Sequence, residues 1–175
     1  MASTESETTV GEQLWNEDLS PDGERVYSAE YRSLVLEQYK LCVEMADRVS
    51  SRRNTSNTFF LSLNTALFAA LAALAGDKAD QAPFWLLACA AVLLVTQCAA
   101  WFLIVRSYRL LNAGKFKVIA AMEERLPAFA YSRAEWSALG EGRDWRLYLP
   151  LSRVEQWVPV TFALAYVLGF FAAVT

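Results

Sequence analysis

Two pairs of acidic residues are the part of this chain whose residue types and spacing could support catalysis. Glu123 and Glu124 are adjacent, and Asp144 follows Glu141 by three positions. Two nearby carboxylates can divide the general acid and general base roles between them. Both pairs lie in stretches typical of solvated helices and turns, and no phosphate-binding loop, nucleophile elbow or dinucleotide fingerprint accompanies them. We therefore expect exposed acids and no enzymatic activity.

Metal and redox chemistry have few residues to use. The chain contains no histidine, which is the most frequent general base and a common metal ligand in proteins. Its three cysteines, Cys42, Cys89 and Cys98, form no C-x-x-C pair. The last two lie in an apolar segment, where a thiol acts as a small hydrophobic group. We expect neither a metal site nor a cofactor.

Long uncharged segments must position any functional residues of this chain. Residues 84–105 lack charged side chains over about 22 positions, a helix of about 33 Å against a bilayer core of about 30 Å. Residues 58–76 and 157–175 are uncharged over about 19 positions each. The last segment could lie on the membrane surface instead, but no basic residue follows Arg153, which favours a span. The predicted fold class is an all-α integral membrane protein with three transmembrane helices plus cytoplasmic helices, assembled as a homo-oligomer.

The pattern divides the chain into five segments. They are a disordered acidic N-terminal tail at 1–26, a cytoplasmic amphipathic helix at 27–57, a transmembrane hairpin at 58–105, a cytoplasmic helical segment at 106–153 and a third transmembrane helix at 154–175. Leu14 and Trp15 offer a weak docking point within the tail. In the fourth segment, Gly114 predicts a helix break, and Ser132 followed by Glu135 matches a capping box that starts a short helix.

Basic residues are concentrated beside the spans, on one side of the predicted hairpin. Four lie at 40–57 and nine at 106–153, whereas the hairpin loop holds only Lys78. The excess of basic residues on the cytoplasmic side of membrane proteins places the N-terminus and 106–153 in the cytoplasm, and the C-terminus outside. Because these residues alternate with acids, we expect lipid headgroups and not nucleic acid as their partners. The candidate headgroup contacts are Arg52, Arg53, Arg106 and Arg109.

The helix predicted at 27–57 carries an apolar stripe that could assemble copies of the chain. Its members repeat at intervals of 4, 3, 4 and 3 positions and are Val35, Tyr39, Cys42, Ala46 and Val49. Three further residues widen this apolar face: Leu34, Leu41 and Met45. Two interpretations are open. The stripe packs on the cytoplasmic segment of its own chain, or it forms a helix bundle with other copies outside the membrane.

Polar and small residues inside the predicted spans are candidates for helix contacts or for a pore. The polar ones are Asn64, Thr65, Thr96 and Gln97. A carboxamide in hydrocarbon seeks a partner, and such a contact contributes about 0.6 kcal/mol, sometimes about 1 to 2 kcal/mol. The four could clamp helices together or line a cavity in an oligomer. Alanines at helical spacing let helix backbones approach closely, and they are Ala66, Ala69, Ala70 and Ala73.

Several motifs together resemble one family. They are Glu44-Met45-Ala46-Asp47-Arg48, Ser51-Arg52-Arg53, Asn64-Thr65-Ala66-Leu67, Ser107-Tyr108-Arg109, Lys115-Phe116-Lys117-Val118-Ile119, Leu126-Pro127 and Glu135-Trp136. From about Glu30 onward the chain is similar to the RipA-like family of small octameric bacterial membrane proteins. The resemblance implies a homo-oligomer, an octamer, in the bacterial cytoplasmic (inner) membrane, and it brings no catalytic residues. The start of the first span also resembles the two-helix SLATT modules of bacterial conflict systems, which are described as forming pores on receiving a signal.

These observations predict a non-enzymatic homo-oligomeric protein of the cytoplasmic membrane that acts as a scaffold or a pore-like assembly. Its expected partners are other copies of itself and membrane lipids. The first alternative is a signal-gated effector that permeabilises the membrane, with 106–153 as its sensor. The second alternative is an interfacial lipid-modifying enzyme that uses Glu123 or Glu124.

Overall fold

Helices make up the regular secondary structure of the described residues. The computed structural model describes residues 10–15, 29–74, 83–143, 146 and 154–174, and no strand occurs among them. The helices are α1 (Val10–Leu14), α2 (Ala29–Leu74), α3 (Phe84–Glu123), α4 (Trp136–Ala138) and α5 (Trp157–Val174). By length and composition, α2, α3 and α5 can each cross a membrane. The all-α class with three apolar helices of spanning length is thus confirmed for this part of the chain.

Helix α2 joins two segments that the sequence pattern separates at residue 57. It runs without interruption over 46 residues, about 69 Å, so the amphipathic helix continues directly into the first span. The polar stretch at 50–57 contains no glycine or proline, the residues that most strongly end a helix. Within this stretch the hydroxyl of Thr55 donates to the carbonyl oxygen of Ser51 at 3.1 Å, so a polar side chain is satisfied by the helix itself.

Helix α3 continues through the predicted break at Gly114, which is therefore wrong. The helix extends over 40 residues to Glu123. A Cβ atom added at Gly114 would have no heavy atom within 4 Å, so no close packing requires the glycine. A single glycine costs a helix about 1 kcal/mol relative to alanine, which is too little to end a helix of this length.

The chain divides into two compact units, each with its own core. The unit named here the charged unit comprises Met1–Val49 and Leu111–Leu149, and the unit named the apolar unit comprises Ser50–Leu110 and Pro150–Thr175. The buried residues of the charged unit include Val35, Ala46, Ile119, Met122 and Glu123. Those of the apolar unit include Asn64, Cys98, Trp101, Val105 and Tyr166.

The segment after α3 differs from its predicted form. A wide helical turn at Ala130–Glu135 leads into α4. The capping box predicted at Ser132 is wrong, because the residue that precedes this turn is Phe129 and no side chain caps it from that position. Beyond α4 the backbone turns left-handed over three residues, with φ of 63°, 54° and 66° at Gly140, Glu141 and Gly142.

Some predictions concern residues outside the described part of the chain. They include most of the acidic tail, the hairpin loop with Lys78, Asp144 and Arg153.

Candidate functional site

Asn64 lies at the centre of a polar cluster in the apolar unit. It is fully buried, and its side-chain oxygen accepts hydrogen bonds from the hydroxyl of Tyr166 at 3.1 Å and from the thiol of Cys98 at 3.6 Å. Its amide nitrogen donates to the carbonyl oxygen of Phe60, one turn earlier in α2, at 2.8 Å. Both ends of the carboxamide are therefore satisfied within one chain. We name Asn64, Cys98 and Tyr166 the asparagine clamp, since they join α2, α3 and α5.

An aromatic layer built around Trp101 accompanies the clamp. The indole N–H of Trp101 donates to the side-chain oxygen of Asn57 at 3.0 Å, and the residue is fully buried. Its ring stacks on that of Phe60, with ring centroids 5.9 Å apart and an angle of 12° between the planes. The centroid of the Phe162 ring lies 6.0 Å from that of Trp101. The layer therefore also draws on all three long helices, and it gives the apolar unit a packed interior beside its polar contacts.

The other polar candidates of the spans stand apart from the clamp. Thr65 and Thr96 are exposed, and their hydroxyls donate to the carbonyl oxygens of Leu61 at 2.8 Å and Val92 at 2.7 Å, one turn earlier in the same helix. Gln97 is half-buried, and its amide nitrogen finds no hydrogen-bond partner among the described residues. Of the four predicted residues, Asn64 is the one that the structure brings into a network between helices.

The sequence pattern does not identify Tyr166 or Cys98 as partners of Asn64. A signal for Tyr166 was available, because a tyrosine hydroxyl inside an apolar helix needs a hydrogen-bond partner in hydrocarbon. No comparable signal existed for Cys98, since a thiol behaves as a small apolar group and does not require a hydrogen-bond partner.

Glu123 is the buried acid of the charged unit. It is fully buried at the end of α3, so the prediction of an exposed acid is wrong for Glu123, whereas the adjacent Glu124 is exposed. Its Oε1 accepts from the hydroxyl of Tyr39 at 3.0 Å and from the backbone N–H of Tyr131 at 2.9 Å. Its Oε2 accepts from both the backbone N–H, at 2.9 Å, and the hydroxyl of Ser132. We name these four residues the glutamate node.

The node takes the place of the capping box expected at Ser132. The first turn of a helix leaves backbone N–H groups without partners, and a carboxylate near them is favourable. Glu123 supplies that carboxylate from α3 and not from the turn itself. The contact therefore fixes the segment that follows α3 to the end of α3 and, through Tyr39, to α2.

The electrostatics of the node favour an ionised carboxylate beside a neutral phenol. Burial by itself would raise the pKa of Glu123, but the donors from Ser132, Tyr131 and Tyr39 outweigh it and hold that pKa below its ordinary value. Burial, together with the hydrogen bond to the carboxylate, raises the pKa of Tyr39. Because donors occupy both carboxylate oxygens, the arrangement suits holding a chain segment in place better than transferring a proton.

The apolar stripe predicted on α2 faces the interior of its own unit. Val35, Ala46 and Val49 are 4%, 3% and 7% exposed, and the remaining members, Tyr39 and Cys42, are half-buried. Packing within one chain is thus the interpretation that these burial values support. The residues that widen the face behave differently, because they remain exposed to 64%, 59% and 45% at Leu34, Leu41 and Met45.

The four arginines predicted to contact lipid headgroups occupy different environments. Arg53 is mostly buried in the apolar unit, and its Nε lies 3.4 Å from Oε2 of Glu155 in an ion pair. Arg52 and Arg106 are exposed, and Arg109 is half-buried. Arg53 therefore has an acidic partner within the chain, while Arg52 and Arg106 present their charges at the surface.

The docking point predicted in the N-terminal tail has a partner in the charged unit. The guanidinium carbon of Arg125 lies 3.5 Å from the centroid of the Trp15 ring. The same guanidinium donates to the hydroxyl of Tyr31 at 3.0 Å. A cation above an indole ring is attracted by about 0.5 to 2 kcal/mol, so this contact attaches Trp15, which directly follows α1, to the unit.

The comparisons with known proteins place this architecture in a family. Residues 36–175, about four fifths of the chain, match the Octameric membrane protein family, and this range contains both the asparagine clamp and the glutamate node. No curated protein and no solved structure matches the chain. Among the described residues, no group of histidine, cysteine or acidic side chains could hold a metal ion. The predicted resemblance to a family of octameric membrane proteins is confirmed, and the chain belongs to the Octameric membrane protein family.

Proposed function

We propose that the chain is the subunit of a homo-octameric scaffold in the bacterial cytoplasmic membrane. Membership of an octameric family supports the assembly. The observation that carries the structural role is the asparagine clamp, because Asn64 is fully buried and paired within one chain. A subunit that satisfies this carboxamide internally presents a mainly apolar surface to lipids and to other copies.

Small exposed residues on α2 support contacts between copies inside the membrane. Four alanines at helical spacing in the first span are exposed in the subunit: Ala66, Ala69, Ala70 and Ala73. Helix association in a bilayer depends on close backbone approach, which small side chains permit. The assembly proposed here therefore uses this alanine face of α2 within the membrane.

The proposed assembly is not an enzyme. A lipid-modifying reaction would need an acid or base that reaches its substrate, and Glu123 is fully buried under donors from three other residues. Glu124 is exposed, and it differs little from other solvated acids of a helix. The burial of Glu123 thus favours a structural role over the enzymatic alternative.

The mass of the assembly is the direct test of this proposal. The full chain is reconstituted in lipid nanodiscs, and native mass spectrometry is expected to give the mass of eight 19.6 kDa chains plus bound lipid. A monomer or a dimer as the main species would refute the octameric scaffold. Orientation is tested separately with alkaline phosphatase fused after Thr175, which is expected to be active because the positive-inside rule places the C-terminus outside.

A pore-like assembly is the second candidate, and two threonines favour it. Thr65 and Thr96 are exposed within the spans, and they lie at similar depth because the adjoining Asn64 and the nearby Cys98 touch each other. Rings of hydroxyls from several copies could line a polar path. If liposomes that contain the octamer conduct ions, the isosteric variants Thr65→Val and Thr96→Val are expected to lower the flux. An octamer without flux favours the scaffold, and flux that appears only with a trigger favours the signal-gated effector.

A further inference from the structure

An exposed row of large apolar side chains runs along the charged part of α2. It consists of Leu34, Leu41 and Met45, named the outer leucine row, which are 64%, 59% and 45% exposed. Their spacing of seven and four positions places them on one line of the helix surface. Residues 29–53 contain nine charged side chains, so this stretch cannot lie in hydrocarbon. Large apolar side chains gathered in water mark an interaction surface.

The charged unit carries a second exposed apolar surface, formed by the aromatic pair Phe116 and Tyr131. Their rings meet edge to face with centroids 6.5 Å apart, and the residues are 45% and 37% exposed. Flat aromatic rings receive leucine and methionine side chains well, and a methionine sulfur near a ring is itself favourable.

Charged residues lie next to the two surfaces in sequence. The exposed residues beside the outer leucine row include Glu37 and Glu44, seven positions apart on one edge of it. The exposed residues next to the aromatic pair in sequence include Lys117 and Arg133, and the guanidinium carbon of Arg133 lies 3.8 Å from the centroid of the Phe129 ring. The two acids already pair with Lys40 at 2.8 Å and Arg48 at 2.6 Å in their own helix. Such exposed pairs contribute little and leave the acids able to join a wider network.

The two surfaces also lie at the same height along the helices. The backbone N–H of Tyr131 donates to Glu123, which accepts the hydroxyl of Tyr39 through the same oxygen. Tyr39 lies between Leu34 and Leu41 in α2, so the aromatic pair is level with the middle of the row. A closed ring of identical subunits joins two different surfaces of each copy, and these must be at equal height when the ring axis follows the helices.

We propose that the outer leucine row of one copy packs on the aromatic pair of the next copy, which forms a head-to-tail interface between charged units. This inference rests on the proposed function, because it takes the ring-shaped octamer as its starting point. In the assembly the row is shielded from water, and Glu37 and Glu44 approach the basic residues beside the aromatic pair of the neighbour. The stripe that faces inward on α2 then holds the subunit together, and the row beside it holds copies together.

Site-specific photo-crosslinking tests this interface in the intact assembly. A benzoylphenylalanine placed at position 41 of the full chain in nanodiscs is expected to form dimer adducts that map to residues 113–136 of the neighbouring subunit. The matched control is position 36, because Leu36 is also exposed, to 42%, on the same helix but away from the row. Adducts from position 41 that map elsewhere, or equal adduct formation from position 36, would overturn the inference.

Substitution separates this inference from the proposed function. Leu41→Asp is expected to weaken assembly at least about tenfold in concentration, as the loss of one buried leucine predicts, whereas Leu36→Asp leaves it unchanged. If Leu41→Asp does not fold, as judged by circular dichroism, the crosslinking result decides. A wild-type chain that is not octameric refutes the proposed function. An octameric wild type whose mass survives Leu41→Asp refutes only the interface.

Discussion

The hydroxyl of Tyr166 lies 3.1 Å from both the carbonyl oxygen and the side-chain oxygen of Asn64. These two residues are 102 positions apart in the chain, and each is buried. A single phenol thus joins the third long helix to the first at two acceptors. The contact places the phenol hydroxyl of this mainly apolar helix on the inside of the subunit, away from lipid.

Removing this hydroxyl is expected to loosen the apolar unit. Tyr166→Phe keeps the ring and leaves the Asn64 acceptors with one donor fewer, which should lower the free energy of unfolding by about 0.6 to 2 kcal/mol. Unfolding of the detergent-solubilised protein by increasing dodecyl sulfate measures the change. Thr161→Val is the control, because that exposed hydroxyl donates to the carbonyl oxygen of Trp157 in its own helix at 3.1 Å.

The clamp residues are expected to act as one unit. Asn64→Leu removes the side-chain oxygen that accepts from Tyr166 and Cys98, but it keeps the backbone carbonyl that also accepts from Tyr166. Combining it with Tyr166→Phe should therefore cost less than the sum of the two single substitutions. The same unfolding measurements give the coupling energy from the double-mutant cycle. Additive effects of the two substitutions would show that the contact does not form in the membrane.

Acidification is expected to release the segment after α3. The pKa of Glu123 is lower in the folded chain than its unfolded value of about 4.5, so the folded chain binds fewer protons there. The ionised node therefore contributes stability above about pH 4.5, and this contribution is lost as the pH falls through the folded-state pKa. Protection of the Tyr131 and Ser132 amides against hydrogen exchange, corrected for intrinsic rates between pH 3 and 7, measures the release.

Two variants distinguish the node from a general effect of acid. Glu123→Gln keeps the size of the side chain but places an amide donor opposite backbone donors, so protection at Tyr131 should be low at every pH. Glu124→Gln changes an exposed neighbour and should preserve the wild-type pH profile. An unchanged profile in Glu123→Gln would contradict the assignment of the pH dependence to this carboxylate.

The left-handed turn after α4 is expected to respond in opposite directions to two substitutions. Gly142→Ala should destabilise the protein by about 1 to 2 kcal/mol, because φ is 66° and the new Cβ would lie 3.2 Å from Cη2 of Trp136. Glu141→Gly should stabilise it by up to about 1 kcal/mol, since φ of 54° costs least in glycine. Thermal unfolding measures both, with Gly114→Ala as a helix control expected to stabilise by about 0.5 to 1 kcal/mol.

The N-terminal attachment is expected to depend on one aromatic ring. Trp15→Ala removes the face on which Arg125 lies and should cost about 0.5 to 2 kcal/mol of local attachment. Faster cleavage of the N-terminal segment by trypsin, followed by mass spectrometry, measures the loss. Trp157→Ala serves as the control because Trp157 is 69% exposed and belongs to the other unit. Equal cleavage rates in both variants would contradict the contact.

The sequence predicts the helices well because their signals are long and local. Charge-free stretches of about 20 residues mark the three spans. Apolar residues that recur every 3 to 4 positions mark the inner face of α2, where Val35, Ala46 and Val49 are buried. A single residue that disfavours a helix is a weaker signal, and the sequence pattern overestimates its effect. A glycine at position 114 costs the helix less than forty residues of backbone hydrogen bonding provide, and α3 continues through it.

The partners of the polar residues could not be derived, because they depend on contacts between distant elements. Glu123 has the local pattern of a solvated acid, but contacts with Tyr39, Tyr131 and Ser132 cover it. Asn64 is recognisable as a carboxamide that needs a partner, yet periodicity does not select Tyr166 from α5. Periodicity likewise identifies the apolar face of α2 without showing that Leu41 lies on the exposed side of it.

The sequence separation between Asn64 and Tyr166 determines the order in which the contacts of the subunit can form during synthesis. Ribosomes add about 5 to 20 residues per second, so the 102 positions between them take roughly 5 to 20 s to synthesise. Cys98, only 34 positions after Asn64, emerges far sooner and can reach the carboxamide first. Until the third helix has been synthesised, the thiol of Cys98 is therefore the weak donor that the side-chain oxygen of Asn64 can accept from within the nascent hairpin. Closing of the clamp is a late event in biogenesis, after both other long helices exist.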